Sequence, residues 1–227
     1  MGGTFLDRRE KEEVEPKGVD AADGILPRLA HRTTPVRVFL TGVSCVGKTT
    51  IGRRLAEILG IPFFDLDGEI EAFHGMSIER LQKRFLTMHS YRNEAAKALA
   101  HLLNRPDSQD CVIALPPSGL MGGYLRVVKQ SSGTTIALND TPENILARIR
   151  FYDIDSKPID KNLTPGEKRL CLREIKKDST YFRGTYRRAR LQVDISGLDI
   201  DQAAYKVKEA LEGIDNPRGG DAFVGRS

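Results

Sequence analysis

Five short apolar runs punctuate the chain, at residues 36–40, 61–64, 111–115, 134–138 and 191–195. They lack strict alternation, which suits strands buried on both faces of a parallel sheet. Between them the apolar positions take a helical spacing. Ile51, Leu55, Ile58 and Leu59 share one face, and Gly60 stops that helix. Residues 68–104 read as helices with a break near Gly75-Met76-Ser77. Ser77 is placed to cap a helix holding Ile78, Leu81 and Phe85, and the next helix turns Tyr91, Ala95, Ala98, Leu99, Leu102 and Leu103 inward. Residues 120–129 form a further helix, weakened at its start by Gly122 and Gly123. Thr141 and Pro142 open another, which buries Ile145, Leu146 and Ile149. A closing helix spans 200–212, with Ala203, Ala204, Val207 and Leu211 on one face. Strands alternating with helices predict an α/β fold of three layers, a five-stranded parallel sheet covered on both sides.

The pattern fades at both ends. Residues 1–34 are charged, carry scattered Gly and Pro and show no apolar face, so they read as a disordered leader. Residues 214–227 read as a disordered tail, which leaves one domain over 35–213. The chain of 227 residues carries a net charge of +4, too mild to imply nucleic acid. It has no apolar run that would span a membrane and no signal-peptide core, and early acidic residues argue against a transit peptide. Cys45, Cys111 and Cys171 have no metal-like spacing and suit free thiols in a reducing cytoplasm. A monomer is expected.

Chemistry enters just after the first strand. Gly42-Val43-Ser44-Cys45-Val46-Gly47-Lys48-Thr49-Thr50 fills every fixed position of the phosphate-loop pattern G-x-x-x-x-G-K-[ST], with a strand before it and a helix after it. The glycines let backbone wrap an anion closely, and the new helix aims free N–H groups and its positive dipole end at that anion. Lys48 can reach terminal phosphates, and the Thr49 hydroxyl can ligate Mg²⁺. These features specify a P-loop NTPase fold that uses ATP and Mg²⁺.

The second strand ends in Asp65 and Asp67, at the edge where parallel sheets present their ligand crevice. One carboxylate could hold a metal-bound water and the other accept a hydrogen bond from a substrate hydroxyl; either could instead cap a helix beginning at Gly68. The third strand runs into Pro116-Pro117-Ser118-Gly119, a rigid loop at the same edge. Residues 146–190 hold thirteen Lys or Arg and six Asp or Glu, a local charge of +7. Within them 153–166 is polar, contains Pro158 and Pro165, and reads as a mobile lid that excludes water and neutralises phosphoryl charge. A basic solvated helix face is the plainer reading of the same charge.

The stretch from Gly42 to Glu71, G-V-S-C-V-G-K-T-T-I-G-R-R-L-A-E-I-L-G-I-P-F-F-D-L-D-G-E-I-E, resembles the shikimate kinases, and weaker similarity covers roughly residues 35–213. That resemblance implies roles. Lys48 and Thr49 would bind nucleotide phosphates and Mg²⁺, Asp65 would hold the metal through water, and Asp67 would orient and deprotonate the attacking hydroxyl. Arg92 would grip the substrate carboxylate bidentately. Arg148 would pack on adenine, and the loop from Ser196 to Asp199 would close around the base. Ser118, Lys157 and Arg183 occupy the places of further substrate contacts, with departures. Pro116-Pro117-Ser118 stands where the family has three glycines, Lys157 where it has a lid arginine, and Arg183 is shifted by one position. The resemblance implies an ATP- and Mg²⁺-dependent kinase that converts shikimate, a small hydroxy acid, to shikimate 3-phosphate. The proline-bearing loop motivates the alternative of a nucleotide-binding regulator with another acceptor or none.

Overall fold

The structure is a computed structural model that describes residues 36–155, 157–159 and 162–215. The expected leader and the tail beyond 215 lie outside these residues. In chain order the elements are β1 (Arg37–Thr41), α1 (Lys48–Leu59), β2 (Phe63–Asp65), α2 (Leu66–His74), α3 (Ile78–Gln82), α4 (Met88–Leu103), β3 (Cys111–Ala114) and α5 (Gly122–Gln130). Then follow β4 (Thr134–Asn139), α6 (Pro142–Ala147), β5 (Phe151–Tyr152), β6 (Pro158–Ile159), α7 (Pro165–Tyr186), β7 (Leu191–Asp194) and α8 (Ile200–Asp215).

The main sheet has five parallel strands in the order β2-β3-β1-β4-β7. β1 is central, pairing Val38 with Val112 on one side and with Thr134 on the other. The crossover from β1 through α1 moves along the sheet opposite to the later ones, and right-handed connections therefore place α1 on one face and α4 and α5 on the other. Contacts agree: α1 packs on α8, and α4 on α5. The core between these layers includes Phe39, Leu40, Leu55, Leu99, Ile113 and Ile136, all fully buried.

Several expected boundaries shift for visible reasons. The helix expected at Gly68 begins two residues earlier, because Asp65 is its N-cap and accepts a hydrogen bond from the Asp67 N–H at 3.1 Å. α6 ends at Ala147, so Ile145 is buried while Leu146 and Ile149 are only half-buried. α8 runs on to Asp215 rather than stopping at 212. The polar stretch 153–166, expected as a mobile lid, supplies the turn and second strand of an antiparallel hairpin, β5 with β6, and the start of the 22-residue α7. Thr164 starts α7 with a reciprocal capping box to Glu167. Among the described residues no helix is long and apolar enough to cross a membrane.

Candidate active site

The phosphate loop joins the end of the central strand to α1, and its conformation requires its glycines. Gly42 has φ 145°, and a Cβ there would stand 2.7 Å from the Leu138 carbonyl oxygen. Gly47, at φ 111°, is the N-cap of α1 and supplies no side chain to it. No acidic residue occupies the first turn. The N-terminal amides of α1 therefore meet no capping side chain, as an anion site requires. Val43 and Val46 are buried and anchor the loop, Ser44, Thr49 and Thr50 are exposed, and Cys45 is half-buried in the left-handed region at φ 59°.

Lys48 folds back over this loop and donates to the Gly42 and Val43 carbonyls at 3.0 and 2.9 Å. Burial pulls its pKa down to about 8, against the charges of Asp67, Cys45 and Asp65. The Thr49 hydroxyl donates to the second Asp65 oxygen at 2.6 Å. Asp65 thus caps α2 with one oxygen and meets Thr49 with the other. Asp67, in the first turn of α2, is open to solvent on its outer side. Protein crowding around its carboxyl still pushes its pKa up to about 6, with Asp65 adding to the rise and Lys48 opposing it. Lys48, Thr49, Asp65 and Asp67 accordingly form one electrostatically connected cluster at the C-terminal edge of the sheet.

The remaining expected residues divide. Arg92 lies in the first turns of α4, beside Gly122 at the start of α5; its Nε is buried without a hydrogen bond. Ser118 is 8% exposed, turned into the protein rather than open at the crevice edge. The 116–121 loop folds into successive turns, with the Gly119 N–H donating to Pro116 O and the Met121 N–H to Ser118 O. Lys157 is exposed in the β5–β6 turn, where its N–H donates to Asp153. Arg183 is exposed on α7. Arg148 caps the C-terminus of α6 and pairs with Asp140, whose side chain is almost wholly buried. Burial works to raise the Asp140 pKa, but hydrogen bonds from Asn144, Arg148 and the Thr141 N–H overcome it and hold it below the ordinary value.

Sequence reasoning missed three features. Asp140 and Asn144 join Arg148, Ala147, Gly197 and Leu198 around a depression of about 270 Å³, so Arg148 and the 196–199 loop do come together. The hairpin tip is tied to the start of α3: Ser77 Oγ donates to the Ile154 carbonyl, and Arg80 Nε to Asp155, both at 2.6 Å. Tyr91 of α4 and Tyr124 of α5 meet, both buried. None of these pairings carries a sequence spacing that announces it.

Fold and loop together define a P-loop nucleotide-binding protein of the α/β type. A profile of the shikimate kinase family matches residues 44–212. A shikimate kinase of Caulobacter vibrioides is 31% identical over 128 residues, which cover 56% of this chain and 61% of that one. One of Geobacter metallireducens is 25% identical over 178 residues, 78% of this chain and 92% of that one. The crystal structure of shikimate kinase from Bacteroides thetaiotaomicron superposes with a TM-score of 0.63 at 23% identity, covering 78% of this chain and 98% of the other. The chain belongs to the shikimate kinase family.

Proposed function

We propose that this protein transfers the γ-phosphoryl group of ATP to shikimate, giving shikimate 3-phosphate. The observation that carries the reading is the cluster at the sheet edge: an uncapped α1 N-terminus with Lys48, next to the Thr49–Asp65 pair at 2.6 Å and to Asp67. The loop from Gly42 to Thr50 would receive the phosphates, with Lys48 exchanging its two carbonyl partners for phosphate oxygens.

The hard oxygens of Thr49 and Asp65 suit Mg²⁺, which typically takes one or two protein oxygens and completes its shell with phosphate and water. Among the described residues no cluster of three or more His, Cys, Asp or Glu could hold a metal by itself. When bound, the ion would neutralise charge on the phosphates.

Asp67, with its raised pKa, would accept the proton of the attacking hydroxyl near neutral pH. Arg92, without an ion-pair partner among the described residues, would hold the acceptor carboxylate. Arg148 and the 196–199 loop would take the base in the depression they share. Lys157 and Arg183 would contribute positive charge from the hairpin and α7, and Ser118 would support the acceptor-side loop.

The test is ADP release coupled to a dehydrogenase readout, with shikimate, gluconate and related hydroxy acids as acceptors. Shikimate-dependent turnover is expected, with Lys48→Ala reducing kcat/KM at least about a hundredfold. ATP binding with no acceptor-stimulated turnover would sink the proposal.

A further inference from the structure

Three side-chain polar atoms are buried without a hydrogen bond on neighbouring turns of α4 and α5: Arg92 Nε, Asn93 Oδ1 and the Tyr124 hydroxyl. Buried groups of this kind are rare because each sacrifices its hydration for nothing, so a local concentration of them calls for a cause. The two helices approach very closely here. A Cβ on Gly123 would stand 3.0 Å from the Arg92 carbonyl oxygen and 2.9 Å from the Ala96 Cβ. Gly122, at φ 52°, lies alongside the Arg92 stem: a Cβ there would be 3.8 Å from Arg92 Cβ and 3.9 Å from Cδ.

Tyr124, the next residue along, has no exposed surface. Its hydroxyl lies beside that of Tyr91 without meeting hydrogen-bond geometry, and within electrostatic reach of Arg92 and Asp67. The loop that leads into α5 offers few backbone donors. Pro116 and Pro117 have no N–H, and the Gly119 and Met121 amides bond within the loop. Four of the six residues at 116–121 thus offer no free backbone donor, which puts weight on the orientation of Arg92 in holding an anionic acceptor.

A guanidinium grips a carboxylate bidentately only when its plane is fixed. We infer that Tyr124 is a positioning residue for Arg92: when the acceptor arrives, the Arg92 Nε–H donates to the Tyr124 hydroxyl oxygen, which sets the guanidinium plane and leaves both Nη groups for the acceptor carboxylate. The Tyr124 hydroxyl in turn donates to that of Tyr91. Tyr124 itself, being wholly buried, does not touch the acceptor. The inference rests on the proposed reading of the acceptor as a carboxylate-bearing hydroxy acid. In the free protein both groups wait unpaired, so the arrangement sacrifices stability for a site poised to close on its ligand.

The sign of the stability effect makes the inference testable. Tyr124→Phe removes an unpaired buried hydroxyl and keeps the ring, so the unfolding midpoint of the full chain is expected to hold or rise. The Kd for shikimate by calorimetry and the KM for shikimate should both rise about tenfold, the loss of one charge-assisted hydrogen bond, with the KM for ATP unchanged and kcat within about twofold. In an Arg92→Lys background, where no Nε–H exists, Tyr124→Phe should add nothing further.

Unchanged shikimate Kd and KM in Tyr124→Phe would overturn the inference. So would a lowered midpoint accompanied by equal changes for ATP and shikimate, which would mark a merely structural tyrosine. A wild type that binds shikimate without phosphorylating it defeats the proposed activity, while the Kd ratio still decides the role of Tyr124. A wild type that binds none defeats both.

Discussion

Asp67 carries a charge that the fold tolerates poorly. Its pKa in the folded protein lies near 6, against an ordinary value of 3.8. Between those values the native state holds a proton that the unfolded chain has released. Stability therefore falls as pH rises through that window, and the loss is complete above about pH 6. Asp67→Asn removes the charge. Its unfolding midpoint at about pH 7.5 should rise by the equivalent of about 1 kcal/mol, the bare shift being discounted because the group is partly open to solvent. At about pH 3.5, where wild-type Asp67 is already protonated, no gain is expected. Turnover should fall about a hundredfold or more at any pH. Melting curves at the two pH values check the first claim, and an equal gain at both would show that the Asp67 charge is not its source.

Elements differ in how openly the sequence announces them. β1, the phosphate loop and α1 are legible because a buried run, fixed glycines and a periodic face occur consecutively between Val36 and Gly60. The hairpin was hidden because two-residue strands leave no periodicity, and α7 because only Ile175, Thr185 and Tyr186 of its length are buried. Asp65 was ambiguous between cap and ligand partner for a physical reason: its two oxygens point to different groups. Arg148 stands out through family likeness, but its pairing with Asp140 depends on α6 ending one residue before it. Contacts between distant turns, such as Tyr91 with Tyr124, are set by helix packing and lie beyond any local pattern. For α7 the cap is decisive. Thr164→Ala should weaken its first turn by about 1 kcal/mol. Amide exchange of residues 166–168 should quicken while that of β1 stays the same.

At the scale of the molecule, the phosphate loop leaves the N-terminus of α1 uncapped until a ligand supplies the anion. Nucleotide binding should therefore register as a gain in global stability. ATP with Mg²⁺ at about a hundred times its Kd should stabilise the fold by about 2.7 kcal/mol. Lys48→Ala should lose most of that gain in a thermal shift measurement, and a full gain in that variant would place the nucleotide elsewhere. Charge is divided in the same way. Residues 146–190 carry +7 of a total of +4, so the remainder of the chain carries −3. The positive excess lies on the segment that includes the hairpin and α7, while the carboxylates Asp65 and Asp67 belong to β2 and α2.

The tether between the hairpin tip and the start of α3 bears on the order of events. Ser77 and Arg80 hold Ile154 and Asp155, and α3 packs on α2 and α4, the helices that carry Asp67 and Arg92. The tip is thus fastened to the half of the molecule that would meet the acceptor, while the depression proposed for the base lies at α6 and the 197–198 turn. For as long as those two contacts hold, the departure of spent nucleotide does not require the tip to let go. On the proposed reading, release of ADP and release of the phosphorylated acceptor become separable events, with no order imposed by the tip.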